Sequence, residues 1–143
     1  MSITAYVSPQ ALVDEFGERE MLELTDVAAE RTGEVDFAVA QRICDRVNAE
    51  ISASLAARYK LPLARVPEVL RYLGQDLAHF YLYQSEPPSW VQTRFDQARK
   101  TLRDVQTGAL PLGVDDTGET VSQAPQDLPE FAPGAKVFGR DSG

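Results

Sequence analysis

Phe37-Ala38-Val39-Ala40-Gln41-Arg42-Ile43-Cys44-Asp45-Arg46-Val47-Asn48-Ala49-Glu50-Ile51-Ser52-Ala53-Ser54-Leu55 is the stretch that decides the fold. Phe37, Ala40, Ile43, Cys44, Val47, Ile51 and Leu55 recur at three- and four-residue spacing, which puts them along one stripe of a helix. Asp36 stands where a side-chain cap for the first free N–H groups is wanted. The spacing predicts an amphipathic helix of about six turns, at 3.6 residues per turn, running to about Tyr59. Pro62 and Pro67 then bracket a short extended link, because the residue before a proline avoids the helical region.

The same period continues outward from this segment. Downstream, Pro67 opens a helix with Val69, Leu70, Leu73, Leu77, Phe80 and Tyr81 on its apolar face, and Pro87-Pro88 breaks it. A last helix carries Trp90, Val91, Phe95, Ala98, Leu102 and Val105, with Gly108 as its C-terminal stop. Upstream, Ser8 caps and Pro9 begins a short helix with Leu12, Val13 and Phe16 on one face, ended by Gly17. A second short helix is expected over Glu18 to Leu24, and Thr25 to Gly33 reads as a polar loop. The expected fold is all-α: a compact bundle of four to five helices over residues 1–108. Its core candidates are Leu12, Phe16, Ile43, Cys44, Val47, Ile51, Leu55, Leu70, Leu73, Leu77, Phe80, Phe95 and Leu102.

Residues 109–143 follow a different rule. Pro111, Pro125, Pro129 and Pro133 alternate with glycines and short polar residues, and no helical period survives. Such a stretch buries too little apolar surface to offset its own ordering entropy. It reads as an extended, mostly irregular C-terminal arm. Leu128, Phe131, Val137 and Phe138 are spaced along it as apolar anchors for docking, with Arg140 and Asp141 as charged partners. The competing reading is that Phe131 and Phe138 fold back onto the chain's own helices.

With 143 residues, 43% of them hydrophobic, the chain has material for one domain with a real core. No apolar run approaches the roughly 20 residues that span a bilayer, and the first residues lack the pattern of a secretory signal. One cysteine, Cys44, allows no internal disulfide and points to a reducing cytosol or an assembly made there. The net charge of −8 is divided unevenly, at −7 over residues 1–36, +3 over 37–109 and −4 over 110–143. That balance argues against tight DNA binding. It suits contacts between an acidic face of one copy and a basic face of the next.

Motifs for chemistry are weak. Asp116-Thr117-Gly118 matches a protease triplet, but that reaction needs two carboxylates sharing a proton, and a turn is the better reading. The acidic stretch Asp26 to Asp36 fails the calcium-loop pattern, since Ala28 and Arg31 fall where a ligand and a glycine are required. His79 is the single histidine and lies off the Leu70/Leu73/Leu77 stripe. With Cys44 the only thiol, ligands for a metal are too few. A Cys44–His79 catalytic pair is outweighed by Cys44 as a small core residue. No cofactor, metal site or enzymatic activity is expected. Phe80 and Tyr81 read as core, and Trp90 as a pin for the Pro87-Pro88 turn or a subunit contact.

Several stretches resemble a known family. These are Tyr6-Val7-Ser8-Pro9-Gln10-Ala11-Leu12 with Phe16-Gly17, Glu23-Leu24-Thr25-Asp26, and Ala53 to Leu63 (A-S-L-A-A-R-Y-K-L-P-L) followed by Val66-Pro67. Asp76-Leu77-Ala78, Tyr81-Leu82-Tyr83 and Val137-Phe138-Gly139-Arg140-Asp141 complete the set. The chain is similar to the small structural proteins of Mu-like tailed phages, in the head-completion or head-to-tail adaptor group. The resemblance implies a virion protein of the capsid–tail neck, made in the bacterial host cytoplasm and assembled into a ring of about twelve copies with heterologous contacts. The implied partners are further copies of itself, the portal protein, and a tail or stopper protein. DNA would pass through the lumen without specific binding, and no membrane is involved. The alternative from the residues alone is a small cytosolic binding or regulatory module that recruits a partner through its tail.

Overall fold

The computed structural model describes residues 5–113. The expected docking residues Leu128, Phe131, Val137, Phe138, Arg140 and Asp141 lie outside the described residues, as does Asp116-Thr117-Gly118. Among the described residues the chain is all-helical, with α1 (Pro9–Phe16), α2 (Glu18–Thr25), α3 (Phe37–Leu55), α4 (Glu68–Leu82), α5 (Ser89–Thr107) and no strand.

Each boundary has a local cause. Ser8 Oγ accepts the Ala11 N–H at 3.2 Å, and Pro9 occupies the first turn, where its missing N–H costs nothing. Gly17 adopts φ 95°, a conformation that side chains disfavour, and so lets α2 follow α1 with a single residue between them. Asp36 Oδ1 accepts the N–H groups of Ala38 and Val39 at 3.0 and 3.3 Å and caps α3. Instead of reaching Tyr59, α3 stops at Leu55. The N–H groups of Arg58 and Tyr59 both turn back to the Leu55 carbonyl, which carries Tyr59 and then Leu63 inward to buried positions. At the far end Gly108 takes φ 88° beneath the Arg58 guanidinium; a Cβ there would lie 2.5 Å from Arg58 Cζ. A cation thus sits over the last turn of α5, where the helix dipole favours positive charge.

The central element is α4, which packs against α5 most extensively and also against α3 and α1. Leu12, Cys44, Val47, Ile51, Leu55, Leu70, Leu73, Leu77 and Leu102 are buried as the periodicity predicts, in one cluster with Met21, Leu82, Ala98 and Val105. Each large aliphatic side chain so buried contributes about 1.5–3 kcal/mol. Four aromatic or branched positions expected in the core are corrected. Phe16, Ile43 and Phe95 are half-buried against its edge, and Phe80 is half-buried and stacked on Phe95 at 3.8 Å. The apolar arc of α4 is wider than α3 and α5 together enclose, so its flank pairs ring on ring at the seam.

A polar residue completes the core. Asn48, on the buried side of α3, accepts the N–H groups of Tyr6 and Val7 at 2.9 and 3.1 Å. Its amide donates to the Val7 carbonyl at 3.2 Å. The segment before α1 is therefore held like a strand against a side-chain amide. Gly74 of α4 makes room, since a Cβ there would sit 3.4 Å from Val7 Cβ.

Candidate interaction surfaces

Between the C-terminal halves of α3 and α5 lies an open groove of about 340 Å³. Glu50, Ala53 and Ser54 line it from α3, and Arg99, Leu102, Arg103 and Gln106 from α5. Glu50 is already engaged: Tyr81 Oη donates to its carboxylate at 3.0 and 3.2 Å, and Arg46 Nε at 3.4 Å. Arg46 also stacks on the Tyr81 ring, 3.9 Å from its centroid. Burial first, and then the hydrogen bond to Glu50, push the Tyr81 hydroxyl above its ordinary pKa. Among the described residues neither Arg99 nor Arg103 has a carboxylate within ion-pair distance. The groove therefore offers two solvated guanidinium groups above a floor that includes the apolar Leu102.

The second cluster surrounds His79, which is 2% exposed although the sequence places it off the apolar stripe. Its ring stacks on Phe16 at 3.8 Å and meets Tyr83 and Trp90 at 5.5 Å each. Its Nε2 forms a close hydrogen bond with Glu20 of α2. Trp90 remains 47% exposed, with the Arg94 guanidinium 5.5 Å from its ring. Its ring bridges α5 to His79 of α4 and presents a face to solvent. Asp76, one turn before Phe80 on α4, has its carboxyl pushed up by burial, with Arg94 and His79 opposing.

The acidic N-terminal third forms a third surface. Asp14, Glu15, Glu18 and Glu23 project from α1 and α2, and Glu30 and Glu34 from the loop that follows. That loop is more organised than a solvated linker. Asp26 is buried, and its carboxylate accepts the N–H groups of Thr32 and Gly33 at 3.0 and 2.9 Å. These bonds hold the Asp26 carboxyl below its ordinary pKa. Thr25 Oγ1 accepts the Asp36 N–H at 2.9 Å and donates to the Met21 carbonyl at 2.7 Å. The loop is thereby tied to the start of α3, where Phe37 and Val27 remain exposed.

Cys44 and His79 serve separate packing roles. Cys44 is fully buried on α3, and burial, then the neighbouring Asp45 charge, push its thiol up to about 12. His79 Nε2 bonds to Glu20, and among the described residues no hydrogen bond joins it to Cys44. Among the described residues no group of three or more His, Cys, Asp and Glu side chains is placed to hold a metal ion. No described helix is long and apolar enough to cross a membrane.

Residues 6–128 match the family model for bacteriophage Mu Gp36. The chain belongs to the Mu Gp36 family. Gene product J of Escherichia phage Mu is 32% identical over 112 residues, covering 74% of this chain and 79% of the relative. The Mu-like prophage FluMu protein gp36 of Haemophilus influenzae is 29% identical over 108 residues, covering 76% and 75%. The Gp36 match starts at Tyr6, where Asn48 grips the chain, and takes in all five helices. The Ala53–Leu63 stretch that carries the resemblance in sequence spans the end of α3 and the turn that buries Tyr59. It also places Ala53 and Ser54 in the groove and Arg58 over the end of α5. Glu20 and Asn48 have no counterpart in the sequence reading. Each is a polar residue whose partner is far away in the chain, and no local pattern announces it.

Proposed function

We propose that this Gp36-family chain is a structural subunit of the phage neck. It forms a ring that connects the capsid portal to the tail, as a head-to-tail adaptor, and continues the DNA channel. The observation that carries this reading is the separation of opposite charge on one helical body. The acidic loop and α1–α2 adjoin the start of α3, whereas Arg99 and Arg103 flank its C-terminal half. From Asp36 to Ala53 the helix covers roughly 25 Å. Patches of opposite sign that far apart suit a heterologous contact, in which one copy's acidic end meets the next copy's basic face and the rotation closes.

The ring holds about twelve copies by analogy with the adaptor group. Acidic groups left facing the lumen repel DNA phosphates, so DNA passes without specific binding. The C-terminal arm, through Val137, Phe138, Arg140 and Asp141, engages the portal above, and the body meets a tail or stopper protein below. The mechanism is geometric and involves no catalytic step or cofactor. The mature location is the virion neck, after synthesis in the host cytoplasm.

The test is complementation of a phage lacking this gene with a copy truncated after Gly134. DNA-filled heads and free tails should accumulate unjoined, while the purified truncated chain keeps its helical circular dichroism. Normal infectious particles from the truncated copy would refute the assignment.

A further inference from the structure

We propose that the α3–α5 groove is the docking site for the chain's own segment Asp127-Leu128-Pro129-Glu130-Phe131, bound in cis. The first support is charge complementarity. The groove presents Arg99 and Arg103 without carboxylate partners among the described residues. The segment brings Asp127 and Glu130, which flank Leu128 and Phe131. Acids interleaved with apolar side chains match guanidinium groups set beside Leu102 and Ala53. Arginine suits this partner, because its planar fork can take a carboxylate with two parallel hydrogen bonds.

The second support is where the described chain ends. Arg103 and Gln106 lie in the last turns of α5, so the chain leaves the helix beside the groove. Leu110 N–H returns to the Asp104 carbonyl at 3.0 Å, and Leu112 is buried, which keeps the exit against the body. From Gly113 to Asp127 the chain can span roughly 45 Å at full extension. From Arg99 to Thr107 the helix measures only about 12 Å. The segment therefore reaches its own groove with chain to spare, and tethering gives it a far higher effective concentration than any free peptide. A groove of about 340 Å³ has room for the side chains of one short segment.

Docking there would divide the arm in two. Leu128 and Phe131 anchor it to the body, and Lys136 to Asp141 remain beyond the anchor to meet a partner. The neighbour's acidic end offers the groove the same chemistry, so on assembly it would compete with the segment that fills the groove in the free chain. The proposal does not depend on the neck assignment, since it is read on the isolated chain.

The experiment uses full-length protein with Ala53→Cys and Ala132→Cys, oxidised at low micromolar concentration and read by non-reducing gel and intact mass. Cys44 is buried with its thiol at about 12 and stays a spectator. The control pairs Glu18→Cys, exposed at the start of α2, with the same Ala132→Cys. The groove pair should close internally about tenfold faster than the control or more. Adding Arg99→Glu and Arg103→Glu, or Asp127→Lys on the segment side, should bring it down to the control rate. Equal rates for the two pairs, or closure indifferent to both charge reversals, would overturn the proposal. Cross-linked dimers in place of internally closed monomers would overturn the cis occupant.

Discussion

Replacing Asn48 with Leu tests how the N-terminal third is held. Leu matches Asn in the number and branching of its side-chain heavy atoms, but its methyl groups take more room, so no cavity is created and the loss is polar with some overpacking added. Three hydrogen bonds disappear: those from Tyr6 N–H at 2.9 Å and Val7 N–H at 3.1 Å, and the donation to the Val7 carbonyl at 3.2 Å. If the segment stayed in place, three buried backbone groups would go unpaired at about 1–3 kcal/mol each. Together that is about 3–9 kcal/mol, against about 3–6 kcal/mol for keeping Tyr6 and Val7 buried, and holding the segment in place also costs its backbone entropy. The segment should therefore peel away and rehydrate. Release forfeits that burial and three hydrogen bonds of about 1 kcal/mol net each. It recovers about 1–2 kcal/mol of backbone entropy per residue freed. The expected loss is about 2–4 kcal/mol. In urea, at a slope of about 1–3 kcal/mol per molar, the midpoint should fall by about 1–2 M. Hydrogen exchange gives the local readout: the amides of Tyr6 and Val7 should lose protection while those of Leu73 and Leu77 in α4 keep theirs. A loss below about 1 kcal/mol, or Tyr6 and Val7 amides as protected as before, would refute the reasoning.

Three further outcomes follow from the same structure. Gly74→Leu forces a side chain against Val7 Cβ and Ile51 Cδ1, which a Cβ alone already meets at 3.4 and 3.5 Å; it should cost about 1–3 kcal/mol by urea unfolding. The Cys44 thiol, buried and raised to about 12, should be inert to a disulfide reagent at pH 8 in the folded chain and react fully in urea; rapid labelling of folded protein would contradict its placement. Asp26 has a folded pKa below its ordinary value of 3.8 because Thr32 and Gly33 donate to it. Its stabilisation is therefore present above that value and lost as pH falls through the folded pKa. Asp26→Asn should make the acid limb of a stability–pH profile shallower, and an unchanged limb would count against the bonded carboxylate.

The helices were legible because their cause is local. A stripe at three- and four-residue spacing, a capping Asp36 or Ser8 and a terminating Gly108 all act within a few residues of where they sit. The legible part ends where burial depends on another element. Phe80 and Phe95 have the spacing of core residues, yet they stack half-buried at a seam that no third helix covers among the described residues. Tyr59 continues the apolar stripe of α3 but belongs to the turn after it, where its N–H and that of Arg58 both return to the Leu55 carbonyl. Asn48 sits between Val47 and Ile51 and looks like a solvent-facing interruption; its partners lie at Tyr6 and Val7. His79 fell off the predicted stripe because the apolar wheel of α4 shows nothing of Glu20 on α2. The groove was legible only in its ingredients: Arg99, Leu102 and Arg103 share a face of α5, but the facing Ala53 and Ser54 come from tertiary packing.

These long-range polar contacts share a location. Asn48 binds Tyr6 and Val7, Thr25 binds Asp36, Asp26 binds Thr32 and Gly33, and His79 binds Glu20. All of them fix the N-terminal third, internally or onto α3 and α4. Between the long helices Tyr81 of α4 also donates to Glu50 of α3, but their placement rests on the continuous apolar seam of Leu70, Leu73, Leu77, Ile51, Leu55 and Leu102. The N-terminal third has fewer buried apolar anchors, chiefly Tyr6, Val7, Leu12 and Met21, and carries a net charge of −7 over residues 1–36. Acids repel one another, so apolar contact alone would leave this region loosely set. Directional hydrogen bonds set its position at the cost of burying polar groups. For a surface whose proposed work is to meet a basic face on the next copy, that cost has a return. A patch ordered before contact loses less entropy on binding than one ordered by it. Breaking the Asn48 grip should accordingly weaken assembly by more than the loss of any one surface carboxylate, although Asn48 itself touches no partner.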